Sequence, residues 1–148
     1  MNTSKGTTLN RVFLARLSGT AVFDPNGDQL GKVRDAVATL RANNQPPRIL
    51  GFIIEVPPRK RIFIPITRVT SIDNGHVIIT GLLNMRRFEP RTNEITVLSE
   101  MLDRSVTLIE TEEKVTVEDV AMEQSSGWSF KRLSADKDLR SKTWCYFR

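Results

Sequence analysis

Two stretches of this chain carry the same spacing. Val22 and Val33 are followed by Asp35 and Val37, and Val106 and Val117 are followed by Asp119 and Ala121. Every pair is 84 residues apart, so a valine, ten residues, and Val-x-Asp occur twice within 148 residues. A repeated supersecondary unit marks an architecture in which one copy buries its apolar face poorly without the other. The repeat constrains fold strongly and chemistry weakly, and no catalytic constellation accompanies it.

The length allows one medium domain or two small ones of about 60–80 residues. A hydrophobic fraction of 39% with 26% charged residues suits a globular chain with a real core. No run of about 18 apolar residues predicts a membrane span. The polar start Met1–Asn10 and the short apolar stretch Val12–Ala15 do not read as a signal peptide. A lone Cys145 makes no internal disulfide and fits a reducing, cytoplasmic setting.

The net charge of +5 hides a segregation. Residues 1–91 carry 14 basic and 6 acidic groups, residues 92–130 carry 2 and 9, and residues 131–148 carry 6 and 2. The chain is therefore not uniformly basic, and its acidic second copy argues against a nucleic-acid partner.

Turn signals divide the first copy into short strands. Asp24-Pro-Asn-Gly27 follows Ala21–Asp24, and Leu30–Leu40 alternates Val33, Val37 and Thr39 against Lys32 and Arg34. Asn43-Asn-Gln-Pro-Pro47 breaks that strand, because two prolines cannot continue a ladder. Ile49–Val56 is apolar on both faces and reads as a doubly covered strand. Arg61–Pro65, Val69–Ile72 and His76–Thr80 complete the set, the last two joined through Asp73-Asn-Gly75. Asn93–Leu102 has helical spacing at Ile95, Leu98, Met101 and Leu102 and predicts a short helix packed on a barrel. Strands follow near Arg104–Ile109, Val115–Glu123 and Trp128–Leu133, and periodicity ends beyond Ser134. The expected fold is all-β: a small barrel with a second, incomplete barrel-like copy and one short helix. The expected boundaries are an N-terminal segment 1–16, a barrel 17–80, a linker 81–92, the incomplete copy 93–134 and a disordered tail 135–148.

The stretch Leu17–Val37, with its Leu30-Gly-Lys-Val-Arg-Asp35 strand, resembles the opening of PRC-barrel domains, small β-barrels found in the photosynthetic reaction-centre H subunit and in the ribosome maturation factor RimM. ILGFIIEV (Ile49–Val56) and Ile64-Pro-Ile-Thr-Arg-Val69 match the strands that follow in that family. The resemblance covers residues 17–80 and, more weakly, 102–134. More narrowly, PITRVTSID and GLLNMRRFE resemble the N-terminal part of actinobacterial proteins related to MgtE-type magnesium transporters. There, the resemblance implies, paired barrels precede helical and CBS domains. The second copy lacks counterparts of Phe63–Ile66 and His76–Thr80, so a truncated or frameshifted product is expected.

Other motifs read as structural. Gly27–Lys32 has three residues between its glycines and lacks the hydroxyl residue of a phosphate loop, so Gly31 is expected to let a strand approach its neighbour. Asp24, Asn26, Asp28 and Asp35 have the spacing of calcium-loop positions, but Gln29 stands where such a loop needs glycine. His76 is the only histidine, which argues against a zinc site or triad and for a solvent-facing strand residue. Arg59-Lys60-Arg61 forms a basic hairpin tip, and Arg86-Arg87 with Arg91 a second cluster; Arg59, Lys60, Arg61, Arg86 and Arg87 are the candidate anion- or partner-binding surface. No catalytic residue, metal ligand or cofactor is assigned. The expected role is a non-catalytic adaptor or regulatory domain of a magnesium-transport-related protein that binds a protein partner, with a homodimer through an open sheet edge as a further expectation. The alternative is a RimM-like ribosome-assembly or RNA-associated module.

Overall fold

The computed structural model describes residues 11–41, 47–73, 75–80, 89, 91–107, 112, 114–125, 127–135 and 140–143. A short strand β1 (Arg11–Phe13) and a one-turn helix α1 (Leu14–Leu17) lead into β2 (Ala21–Phe23), β3 (Gln29–Thr39), β4 (Arg48–Val56) and β5 (Lys60–Pro65). A 3₁₀ turn over Ile66–Arg68 precedes β6 (Val69–Asp73) and β7 (His76–Ile79). Then come β8 (Glu94–Thr96), α2 (Val97–Glu100), β9 (Ser105–Thr107), β10 (Lys114–Ser125), β11 (Gly127–Ala135) and β12 (Arg140–Thr143). The fold is all-β and of the barrel type. β3, β4 and β5 are consecutive antiparallel neighbours, β2 joins β3 to a parallel β7, and β6 covers β7. Val22, Val33, Phe52, Ile54, Ile62, Ile64, Ile72, Val77 and Ile79 fill the interior of this first copy.

The repeat is a repeat of structure. β2 and β9 coincide at the 84-residue offset, and the β3–β4 register shifts between Val33 and Asp35 and between Val37 and Ala38 recur in β10–β11 between Val117 and Asp119 and between Ala121 and Met122. The Val-x-Asp motif thus encodes a β-bulge: the middle residue is the extra one, and its insertion re-aims the aspartate beside it. Backbone hydrogen bonds repeat too. Gly19 N–H donates to Val33 O (2.7 Å) and Val33 N–H to Thr20 O (2.9 Å), while Asp103 N–H donates to Val117 O (2.8 Å) and Val117 N–H to Arg104 O (2.9 Å).

The two copies are interlocked. β1, the first strand of the chain, pairs with β10 of the second copy, with Val12 opposite Met122. β8, which opens the second copy, pairs with β3 of the first, with Ile95 opposite Ala38. β4 and β11 meet at Arg48 and Ser129. One continuous core results, in which Val12, Leu14, Leu17, Val97, Val117, Val120 and Met122 pack with the first copy's interior.

The two repeated aspartates lock this exchange. Neither short helix has a side-chain N-cap of its own. Buried Asp35 accepts Leu98 N–H (2.6 Å), Ser99 N–H (3.1 Å) and the Ser99 hydroxyl (2.8 Å), and so caps α2 from β3. Asp119 accepts Ala15 N–H (2.8 Å) and caps α1 from β10. Each carboxylate also takes the amide of its following residue, Ala36 or Val120, at 2.8 Å. A helix start leaves unpaired N–H groups, and here a carboxylate from a distant strand accepts them in each copy.

Several expected boundaries move. Arg11–Leu17, placed mostly in a separate N-terminal segment, forms β1 and α1 on the second copy. The helix expected over Asn93–Leu102 is the single turn Val97–Glu100, preceded by β8, because Glu94–Thr96 takes up the edge of β3 instead. A second short helix, α1, joins it. Most of the expected linker, 81–92, lies outside the described residues. The expected disordered tail contains β12, whose Arg140–Thr143 pairs with Arg132–Ala135 of β11. Its sequence, Arg-Ser-Lys-Thr, has no apolar alternation to announce a strand; its backbone pairs along β11.

Two consequences are measurable. Asp103 has φ 64°, at the position where the first copy has Gly19 with φ 85°. The left-handed region suits glycine and costs other residues about 1 kcal/mol. Asp103→Gly should therefore raise stability by about 0.5 kcal/mol after glycine's greater unfolded-state entropy is allowed for; a lower urea midpoint would contradict this. The second consequence concerns pH. Burial raises the Asp119 carboxyl above the ordinary aspartate value, outweighing the opposing pull of the Ala15 and Val120 amides and of Arg16. A raised folded value means the folded state holds the proton more tightly than the unfolded chain. The Asp119 contribution is then fully present below an unfolded value of about 3.9 and declines as pH rises through the raised one. Asp119→Asn keeps an oxygen acceptor and should gain stability relative to the parent between about pH 3 and pH 7, as urea unfolding at both values would report. A difference that is flat or falls with pH would contradict it.

Candidate functional site

The basic tip lies where β4 turns into β5. Pro57–Arg59 forms the turn, closed by Arg59 N–H donating to Val56 O (3.0 Å), and Lys60 pairs with Val56 and Arg61 with Glu55. Arg59, Lys60 and Arg61 are all exposed. Arg59 has φ 138°, a conformation that side chains other than glycine's adopt at a cost of order 1–3 kcal/mol.

Strand pairing adds residues to this tip that lie far from it in sequence. Lys32 of β3 stands opposite Glu55, which stands opposite Arg61. The Glu55 carboxylate lies 3.4 Å from Arg34 Nη2 and 3.9 Å from Arg61 Nε, with Arg34 partly exposed and Arg61 exposed. Arg34 and Arg61 therefore flank the Glu55 carboxylate, Lys32 lies in the same cross-strand row, and Arg59 and Lys60 are exposed in the adjoining turn and at the start of β5. A surface pair of this kind contributes little to stability, but it orients the guanidinium groups. Chemically, the arrangement is a rigid cationic face suited to carboxylates or other oxyanions. No pattern in the sequence points to Lys32 and Arg34 here, because only the β3–β4 register, with its bulge at Arg34, brings them beside Glu55. Arg86 and Arg87 lie outside the described residues.

The other motifs find structural duties. Asp24 accepts the amides of Asn26 and Asp28 (both 2.9 Å) through Oδ1, so this carboxylate closes its own turn, with Gly27 at φ 88°. His76 is exposed, with its ring centroid 5.2 Å from that of Phe23 and its Nδ1 3.3 Å from Asp73 Oδ1. Among the described residues no three His, Cys, Asp or Glu side chains are grouped for metal binding, and no helix is long and apolar enough to cross a membrane. A cleft of about 280 Å³ lies between the β1–α1 arm and the β6–β7 turn, walled by Arg11, Phe13, Arg16 and Leu17 on one side and Ile72, Asp73 and Gly75 on the other.

The family model of the PRC-barrel domain matches residues 9–82, half of the chain. The chain belongs to the PRC-barrel family. The match begins ahead of β1, so the arm that crosses to the second copy falls within it. A second family model, the Actinomycetes SH3 domain, matches residues 95–136, which reach from β8 through β11. The weaker second copy thus matches a family model other than the PRC barrel's while keeping its bulges and hydrogen bonds in step with the first. No curated protein matches the chain.

Proposed function

We propose that this PRC-barrel protein is a non-catalytic binding module, an adaptor or regulatory part of a magnesium-transport-related system at the cytoplasmic side. It docks a protein partner through the cationic face at Lys32, Arg34 and Arg59–Arg61. The observation that carries the reading is the cross-strand row of Lys32, Glu55 and Arg61, with Arg34 beside the same carboxylate and Arg59 and Lys60 exposed at the turn next to it. The transport assignment rests on the likeness of PITRVTSID and GLLNMRRFE to MgtE-related proteins. A partner surface rich in Asp and Glu would complement the face, and its attraction would weaken with salt.

The test is binding of the purified soluble domains of an MgtE-type transporter to the full chain. Serine at Arg59, Lys60 and Arg61 together should leave stability within about 0.5 kcal/mol per site, because these side chains are exposed, and should weaken binding at least about tenfold. Binding that is absent, or that the triple variant leaves unchanged, would contradict the proposal. Tight binding of RNA at the same face would favour the ribosome-assembly reading.

A further inference from the structure

The hydrogen-bonded order of the sheet begins at β1 and ends at β6. Among the described residues β1 pairs with β10 alone and β6 with β7 alone, so each has one side without a strand neighbour. The cleft of about 280 Å³ lies between these two ends, bordered by all of β1 and by Ile72 and Asp73 of β6. Side chains alternate along a strand, so a wall made of consecutive residues is a strand's edge rather than one of its faces. The repeat gives an internal comparison. At the 84-residue offset Arg11 and Phe13 correspond to Ile95 and Val97, which pack into the core. Arg16 corresponds to Glu100, which its own turn holds through the Thr96 amide and hydroxyl. Arg16 is exposed, lies 5.9 Å above the Phe13 ring and makes no ion pair among the described residues, whereas Arg11 is paired with Glu123. On the opposite wall Asp73 Oδ1 is buried and accepts no hydrogen bond; His76 Nδ1, 3.3 Å away, pairs with it only when protonated.

We propose that this gap in the sheet binds an extended peptide segment of a partner protein, which enters as a strand along β1 and sets an acidic side chain against Arg16. The strand edge supplies main-chain hydrogen bonds, which carry affinity in this mode of recognition, and side-chain contacts supply the choice of sequence. β1 is three residues long, so the paired part of the ligand spans about 10 Å. Arg16 selects a carboxylate, Phe13 and Ile72 line the gap with apolar surface, and Asp73 Oδ1 takes an N–H of the ligand, the donor it lacks. The site is independent of the cationic face at Arg59–Arg61.

Titration of the isotope-labelled full chain with the blocked peptide acetyl-Val-Glu-Val-Thr-Val-amide, followed by amide chemical shifts, tests this. Shift changes should concentrate at Val12, Phe13, Asp73 and Gly75. Lysine in place of the peptide's glutamate should weaken binding at least about tenfold, and Arg16→Ser in the protein should weaken the glutamate peptide about fivefold without harming the lysine one. A peptide N-methylated at alternate amides keeps its side chains but loses its backbone donors, and should bind at least about tenfold more weakly. Serine at Arg59, Lys60 and Arg61 should change none of these values. The amide spectrum itself reports that each variant is folded. Absence of shifts at the cleft with millimolar peptide, or equal binding of the N-methylated peptide, would overturn the proposal. Glutarate binding as tightly at the same amides would overturn it too, because the gap would then be a site for a free carboxylate and not for a strand.

Discussion

Replacing Asp35 with Ala should cost about 3 kcal/mol, because it strips a buried acceptor from two helix amides and a hydroxyl at a partly buried contact. Asp35 is 5% exposed, and its donors come from α2, more than sixty residues away in the chain. The damage should therefore appear at both ends of the contact: α2 loses its cap, and β8 loosens from β3. Urea unfolding at neutral pH would measure the loss, and a cost below about 1 kcal/mol would mean that Asp35 is not the lock described. Ser99→Ala removes one of the bonds and should cost about 1.5 kcal/mol. Asp119→Ala, on the less buried and less fully bonded counterpart, should cost less than Asp35→Ala. Reversal of that order would contradict the unequal grip of the two arms.

Gly31→Ala should be the second large effect. A Cβ at Gly31 would overlap the carbonyl oxygen of Glu55 and stand 3.0 Å from its carbonyl carbon, where backbone must move rather than a side chain. Adjacent strands cannot separate locally without breaking ladder bonds, so we expect a loss of about 3 kcal/mol or more. The displaced β3–β4 pairing would also disturb the register that brings Lys32 opposite Glu55, so affinity at the cationic face should fall with stability. Gly51 is a parallel case on the other side of β4, where a Cβ would overlap the carbonyl oxygen of Ile64. A Gly31→Ala variant with the parent's thermal midpoint would show that the strands do not approach so closely.

The strands of the first copy were legible in the sequence because turn residues punctuate alternating or wholly apolar runs, and Leu30–Leu40 and Ile49–Val56 fall within a residue of β3 and β4. The role of Gly31 was legible for the same reason: a small residue inside an alternating strand has few other uses. The interlock was not. β1 and β8 are three residues each, too short to show a period, and their partners are set by distant edges. The repeated Val-x-Asp signalled duplication without revealing that its middle residue is a bulge and its aspartate caps the other copy's helix. β12 was invisible because a strand held by backbone pairing needs no apolar pattern. At the candidate site, the run Arg59–Arg61 could be read directly, whereas Lys32, Arg34 and Glu55 join it only through register.

Each copy is completed by a segment lying before or after it in the chain, and cross-strand nuclear Overhauser effects are the decisive check. The interlock requires contacts between the backbones of Val12 and Met122, joining β1 to β10, and between those of Ile95 and Ala38, joining β8 to β3. Contacts of β1 with strands of its own copy, or of β8 with β10, would show two separately closed barrels and contradict the interlock.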